Sequence, residues 1–163
     1  MKIIIEGPDG SGKSTLAATL ADRMKLPLHV GKGPVRSELD YMARWMEYVS
    51  ADEGVFDRHF VVSEAIYSQF FPRGDFQRAD IIHDFYSLQP LIVYCRAPRI
   101  LTDHTAASPT DTPDYLSRLQ TLHPRIVDAY EEWASFHPVI YYNFRGGSTL
   151  LDVLRQIERK IAA

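Results

Sequence analysis

The N-terminal stretch Lys2–Leu20, KIIIEGPDGSGKSTLAATL, constrains the fold more than any other part of the chain. The run KIII reads as a short buried strand, EGPDGSG as a glycine-rich turn, and KSTLAATL as the opening of a helix. Gly7, Gly12, Lys13 and Ser14 fill the spacing G-x-x-x-x-G-K-[ST], and Thr15 follows. Glycines let a backbone turn so sharply that successive N–H groups converge on one point, which is what a polyphosphate requires. A helix starting near Lys13 adds its positive dipole end. The lysine can then reach the terminal phosphate oxygens, and the Ser14 hydroxyl can ligate a magnesium ion. Strand, loop and helix in that order identify a phosphate-binding loop. Lys13 is expected to face solvent until phosphates arrive.

Behind this opening the sequence alternates strand and helix signals. Strands are predicted at Leu28–Val30, Val55–Phe56, Leu91–Cys95 and Pro138–Tyr142. Helices are predicted at Leu16–Met24, Leu39–Val49, His59–Phe71, Phe76–Leu88, Asp114–Ala134 and Ser148–Ile161, the last with Ser148 as N-cap. Met42, Trp45, Met46 and Val49 would form the apolar stripe of the second of these, and a short helix is expected from Pro98. The small, polar, proline-broken stretch Thr105–Pro113 (TAASPTDTP) reads as a mobile lid. The whole pattern predicts an α/β protein, a five-stranded parallel sheet with helices on both faces, in one domain over residues 1–163.

Composition narrows the function. A net charge of −3 with no lysine- or arginine-rich block argues against a nucleic-acid partner. Cys95 is the only cysteine, which excludes an intrachain disulfide, and it is expected to be a buried strand residue. No apolar run approaches the ~20 residues of a membrane span, and the chain opens on a strand rather than a signal peptide, so a cytoplasmic protein is expected. His29, His59, His83, His104, His123 and His137 are scattered without a metal-ligand spacing.

In a parallel sheet, ligands sit outside the carboxyl ends of the strands. The first end carries the phosphate loop, the second Gly31–Arg36, the third Asp57 and Arg58, the fourth Cys95 and Arg96. Two charged residues directly after a short buried strand are costly unless something meets them. Asp57 could hold water on a metal or take a proton from an attacking oxygen, and Arg58 could clamp a phosphate. A mutual or helix-capping ion pair is the plainer alternative. His59, next to them, could wall an acceptor pocket.

The segment EGPDGSGKST (Glu6–Thr15) resembles the E-G-x-D-G-x-G-K-[ST] loop of the thymidylate kinase family. DRHFVVSEAIYSQFFPRG (Asp57–Gly74) is similar to that family's D-R-[YH]…S…Y…R-G segment, and closer still to the D-R-x-x-x-x-S-E-x-x-Y form of small phage-type members. Ser63 and Tyr67 each lie one position later than in the cellular enzymes. The resemblance implies a P-loop kinase that transfers the γ-phosphate of ATP, with Mg²⁺, to a nucleoside monophosphate, with dTMP or another deoxynucleotide the first choice. It also implies a homodimer.

Carried over by position, Gly7, Asp9, Gly10, Ser11, Gly12, Lys13, Ser14 and Thr15 would surround the ATP phosphates, with Ser14 and Asp57 at the metal. Asp9 would also face the acceptor near its 3′-hydroxyl, Arg58 would hold the acceptor phosphate, and Tyr67 would pack on the deoxyribose near C2′. Arg36 stands roughly where the family has an arginine–glutamate–proline motif, and Arg73 and Arg78 could reach inward. Family members carry a catalytic arginine in the loop or lid, and this chain has none in either. That role falls to Arg118, with Arg99 and Arg125 as substitutes, beside Lys13, Asp57 and Arg58. A kinase acting on a nucleoside or other small hydroxyl acceptor remains open, as does a P-loop ATPase or switch.

Overall fold

The structure, a computed structural model, describes residues 1–101 and 112–162. Strands β1 (Lys2–Glu6), β2 (Leu28–Val30), β3 (Gly54–Asp57), β4 (Leu91–Cys95) and β5 (Ile140–Tyr142) form one sheet in the order β2-β3-β1-β4-β5. Every pairing is parallel. Parallel neighbours cannot be joined by hairpins, so the chain crosses over through helices. These are α1 (Lys13–Met24), α2 (Glu38–Ser50), α3 (Phe60–Tyr67), α4 (Ala79–Ser87), α5 (Pro113–Ser135) and α6 (Leu150–Ile161).

Side chains alternate across a strand, and this period distributes the core. Ile3 and Ile5 of β1 pack with Val55, Val93, Cys95 and Ile140 under α1 and α6. Ile4 packs with Phe56, Ile92 and Tyr94 on the opposite face, under α2, α3, α4 and α5. The three isoleucines are fully buried, each contributing about 1.5–3 kcal/mol of apolar burial. Glu6 is next in the alternation after Ile4, so its carboxylate enters the second face beneath α3 and α5, where it is 0% exposed.

Several local expectations shift. The apolar face of α2 is Tyr41 and Tyr48, with Trp45 half-buried between them, while Met46 is 57% exposed. Aromatic rings at i, i+4 and i+7 reach deeper into the core than the methionines do. Helix α3 stops at Tyr67 rather than Phe71, and Pro72 keeps the chain from resuming it. The chain resumes helix only at Ala79, three residues later than expected, after Phe76 folds its ring against Gly74. No helix forms over residues 98–101. The expected lid falls mostly on residues outside those described, and its last two, Thr112 and Pro113, are the N-cap and first residue of α5. Helix α5 runs through Pro124 without ending there. The N-cap of α6 is Thr149, not Ser148, because Thr149 and Asp152 bond reciprocally: Asp152 N–H to Thr149 Oγ1 at 3.2 Å, Thr149 N–H to Asp152 Oδ2 at 2.9 Å.

Candidate active site

The turn between β1 and α1 is built by backbone that only glycine adopts cheaply. Gly7 has φ +149° and lies so near β4 that a Cβ there would meet the Cys95 carbonyl oxygen at 2.3 Å. Gly12, at φ +77°, caps α1 without any side-chain hydrogen bond, and the first turn holds no acidic residue. By contrast Ser37, His59, Thr112 and Thr149 cap α2, α3, α5 and α6 through their side chains. The first N–H groups of α1 are therefore left for an external acceptor, the electrostatics of an anion site. Ser11, fully buried in the turn, has a hydroxyl with no partner among the described residues.

Lys13 does not face solvent. It is 7% exposed, and its ammonium donates to the Pro8 carbonyl at 3.1 Å and lies 3.8 Å from Asp9. Burial, with the nearby Arg58 charge, lowers its pKa to about 8, and Asp9, Asp57 and Glu6 hold it from falling further. Lys13 thus lies against its own loop.

Asp9, Lys13 and Ser14 open onto a cavity of about 410 Å³. Its lining also carries Asp57, Arg58, Glu64, Tyr67 and Arg73, so the ends of β1 and β3 share one space. Gly7, Gly10, Ser11 and Gly12 form the turn behind that surface, and Thr15, exposed on α1, lies outside the lining. The alternation of β3 sends Asp57 toward the α1 face. One of its carboxylate oxygens is buried with no hydrogen-bond partner among the described residues.

Arg58 is the centre of the site. Its backbone is left-handed at φ +71°, which costs a non-glycine residue roughly 1–2 kcal/mol and persists only where surroundings enforce it. Its N–H donates to the Ile5 carbonyl at 2.9 Å. The guanidinium donates to Asp9 Oδ1 at 2.6 Å, to the Tyr67 hydroxyl at 3.3 Å and to the Tyr130 hydroxyl at 3.3 Å. Arg58 is ion-paired across the site with Asp9 and not with Asp57, so neither a mutual pair nor a helix-capping pair is what meets these two charges. Burial would push the Asp9 carboxyl up; Arg58, then Lys13 and the Tyr67 hydroxyl, outweigh it and hold it well below the usual carboxylate range.

Tyr67 lines the cavity, but its ring is only 3% exposed. Its hydroxyl donates to Asp9 Oδ2 at 2.6 Å, and the guanidinium carbons of Arg58 and Arg73 lie 5.2 and 5.1 Å from its ring centre. The ring thus stands against two cations rather than as an open apolar wall.

Sequence reasoning missed the groups that hold these side chains. Glu6 accepts from the His59 N–H at 2.5 Å, the Tyr130 hydroxyl at 3.2 Å, the Gly7 N–H at 3.3 Å and the Ser63 hydroxyl at 3.4 Å. Burial raises its pKa, opposed by Arg58, the His59 N–H, Lys13 and the Gly7 N–H. Glu64 Oε1 accepts from Arg73 at 2.8 Å and from the Val35 N–H at 3.1 Å, tying Arg73 to the segment after β2. Arg44 binds Asp40 and the carbonyls of Gly33 and Pro34, at 2.7 and 3.1 Å, fixing the remaining wall. The available signals were an acid ending an apolar strand, the i,i+4 pair Asp40–Arg44, and the helical repeat Ile126–Tyr130–Ala134.

Besides the loop residues already placed behind or outside the lining, Arg36, Arg118 and His59 are expected site residues that do not line this cavity. Arg36 is exposed on the chain leading into α2, where its backbone N–H donates to Asp40. Arg118 is exposed and donates to the Phe70 carbonyl at 3.0 Å, over the Phe71 ring. Its neighbours Tyr115 and Leu119 line the cavity, and Arg118 itself does not. His59 is 3% exposed and packs against Tyr48, Phe60 and Phe85; its Nδ1 accepts from the Val61 N–H at 3.4 Å, capping α3. It borders only a small apolar recess beside the main cavity. Burial lowers its pKa to about 3, so it is neutral. Of the other arginines, Arg99 pairs with Asp128 and Arg125 lies over the Phe70 ring. The guanidinium groups lining the cavity are Arg44, Arg58 and Arg73.

No protein-family model matches the chain, and neither does any curated protein. Solved structures do. The YorR protein of Bacillus subtilis, in complex with phosphorylated GDP, is 22% identical and superposes with a TM-score of 0.71 over 99% of this chain and 96% of that one. The deoxyadenosine kinase of M. mycoides with bound dATP is 15% identical, with a TM-score of 0.52 and complete coverage of both chains at 100%. The thymidylate kinase of Candida albicans is 17% identical, with a TM-score of 0.52 over 99% of this chain and 90% of that one. The chain therefore has the α/β P-loop kinase fold that these structures share.

Proposed function

We propose that this protein is an ATP-dependent kinase of nucleoside monophosphates, acting in the cytoplasm, with a deoxynucleotide such as dTMP as the first candidate acceptor. The observation that carries this is the single cavity joining the uncapped N-terminus of α1 and Lys13 to Arg58 and Arg73. Cations from the turn after β1 and from the end of β3, Lys13 on one side and Arg58 and Arg73 on the other, face one space, which suits two phosphate groups brought in line. Its volume, about 410 Å³, is in the range of a small-ligand site.

In this reading Lys13 leaves the Pro8 carbonyl and meets the donor's β- and γ-phosphates, while the N–H groups of α1 bind their oxygens. Arg58 and Arg73 neutralise the acceptor phosphate and so lower the repulsion between two anions. Little covalent chemistry is asked of the protein; alignment and charge neutralisation carry the rate. A magnesium ion fits the residues present, since the exposed Ser14 hydroxyl and the unpartnered buried oxygen of Asp57 are hard oxygen donors. Among the described residues no three His, Cys, Asp or Glu side chains cluster as ligands. The ion would therefore rely on phosphate oxygens and water besides Ser14 and Asp57, and it would supply further neutralisation of phosphate charge.

That same unpartnered oxygen of Asp57 favours one second reading, in which Asp57 is a general base toward the hydroxyl of a nucleoside. A panel of ATP with each nucleoside, dNMP and NMP, analysed by product separation, decides. ADP with an equal amount of nucleoside diphosphate is the expected result. A monophosphate product made from a nucleoside would establish the second reading, and ADP with free phosphate alone would make the protein an ATPase.

A further inference from the structure

We infer that Tyr130, from the middle of α5, is a positioning residue for Arg58: its hydroxyl links the guanidinium to the buried carboxylate of Glu6 and so fixes where that charge points. The inference rests on the proposed acceptor site and adds to it the means by which the site stays organised while empty. Tyr130 Oη accepts from Arg58 Nη1 at 3.3 Å and donates to Glu6 Oε2 at 3.2 Å. Both the tyrosine and the glutamate are 0% exposed. A hydroxyl that donates to a carboxylate becomes a better acceptor toward a guanidinium, so the two bonds reinforce each other.

The other anchors of Arg58 are not sufficient to set its direction. Asp9 and the Tyr67 hydroxyl both bind through Nη2, and they also bind each other. A guanidinium held at one nitrogen can still swing about that point. Tyr130 supplies the bond at Nη1 and so completes a two-point hold, the geometry in which a planar fork is directional. Glu6, in turn, is held rigid by donors from the loop after β1, from α3 and from the approach to α3. The left-handed backbone of Arg58 is a further sign that its direction is enforced rather than chosen locally.

The test is Tyr130→Phe, which removes the hydroxyl and keeps the ring contacts with Tyr67, Tyr94 and Trp133. In steady-state kinetics the acceptor KM should rise roughly tenfold, in line with loss of one hydrogen bond to a charged group, with ATP KM within about twofold. In an Arg58→Ala background the same substitution should change acceptor KM by less than about twofold, because its target is gone. Additive effects in the two backgrounds, or a lower melting temperature with KM values untouched, would overturn the inference. A second measurement needs no substrate: nitrogen NMR of the Arg58 guanidinium in the nucleotide-free protein should show hindered rotation in wild type and faster rotation in Tyr130→Phe. Faster rotation in a protein that phosphorylates no monophosphate would support the positioning role and refute the proposed acceptor. Free rotation in wild type would refute the positioning role, even if the variant does not fold.

Discussion

Replacing Arg58 separates the energy of the fold from the energy of binding. Arg58→Ala removes the partner of Asp9 and one donor each from the hydroxyls of Tyr67 and Tyr130. The Arg58 and Asp9 side chains are 23% and 25% exposed, between the surface pair worth about 0–1 kcal/mol and the buried pair whose rupture costs about 3–5 kcal/mol. Solvent screening and the remaining Tyr67 hydroxyl and Lys13 contacts on Asp9 place the loss at about 1–3 kcal/mol. Alanine keeps the left-handed strain at φ +71°, whereas Arg58→Gly releases it and should be about 1 kcal/mol more stable than the alanine variant. Loss of the guanidinium also removes the charge that, after burial, lowers Lys13.

Binding should suffer more than folding. Charge-assisted hydrogen bonds to a phosphate are worth about 1.5–3 kcal/mol, so the acceptor KM should rise roughly ten- to 150-fold in both variants, with ATP KM changed no more than about threefold. Urea denaturation gives the stability difference, and initial rates with each substrate varied in turn give the KM values. A raised ATP KM with the acceptor KM unchanged would mean that the two halves of the cavity are assigned the wrong way round. Equal stability of the alanine and glycine variants would refute the strain term.

Lys13→Ala should lower kcat by orders of magnitude in a protein that still folds; in wild type, ATP affinity should weaken as pH rises above about 8, where the empty site's lysine loses the proton that bound phosphates require, as calorimetry across pH would show. Arg73→Ala should cut acceptor kcat/KM at least tenfold while Arg118→Ala changes it less than twofold; a large loss in Arg118→Ala would mean that this exposed side chain swings in during turnover. His59 is neutral in the fold with its pKa lowered to about 3, below its unfolded value of about 6.5, so the unfolded chain takes up the extra proton. Its contribution is complete above about pH 6.5 and is lost toward pH 3, with a slope of up to about 1.4 kcal/mol per pH unit; His59→Asn should flatten that part of the urea-measured stability profile, and an unchanged slope would refute it.

The sequence by itself determined the order of elements, the phosphate-binding turn and the strand ends that carry charge. Each is a local matter: the period of apolar residues chooses strand or helix, and the glycines at 7 and 12 permit backbone that other residues resist. Pro72 marks the break between α3 and α4 in the same way, though not the residue at which each helix stops. Asp57 and Arg58 are visible because two charges after a buried strand need partners. Which partners they find is not visible. Arg58 meets Asp9, which lies 49 positions away, and Tyr130, which lies 72 away, only because the crossovers bring β1, β3 and α5 together. Arg118 and Tyr130 both stand on α5, and no local signal says that one faces solvent while the other reaches the site; the rotation of a helix on the sheet is set by its total buried face. His59 follows the same logic: beside two site residues in sequence, it turns into the aromatic core as the cap of α3. Glu6 reads as the last residue of a strand, and its function depends on the face to which the pleat assigns it, a consequence of parity that becomes definite only when helices cover that face.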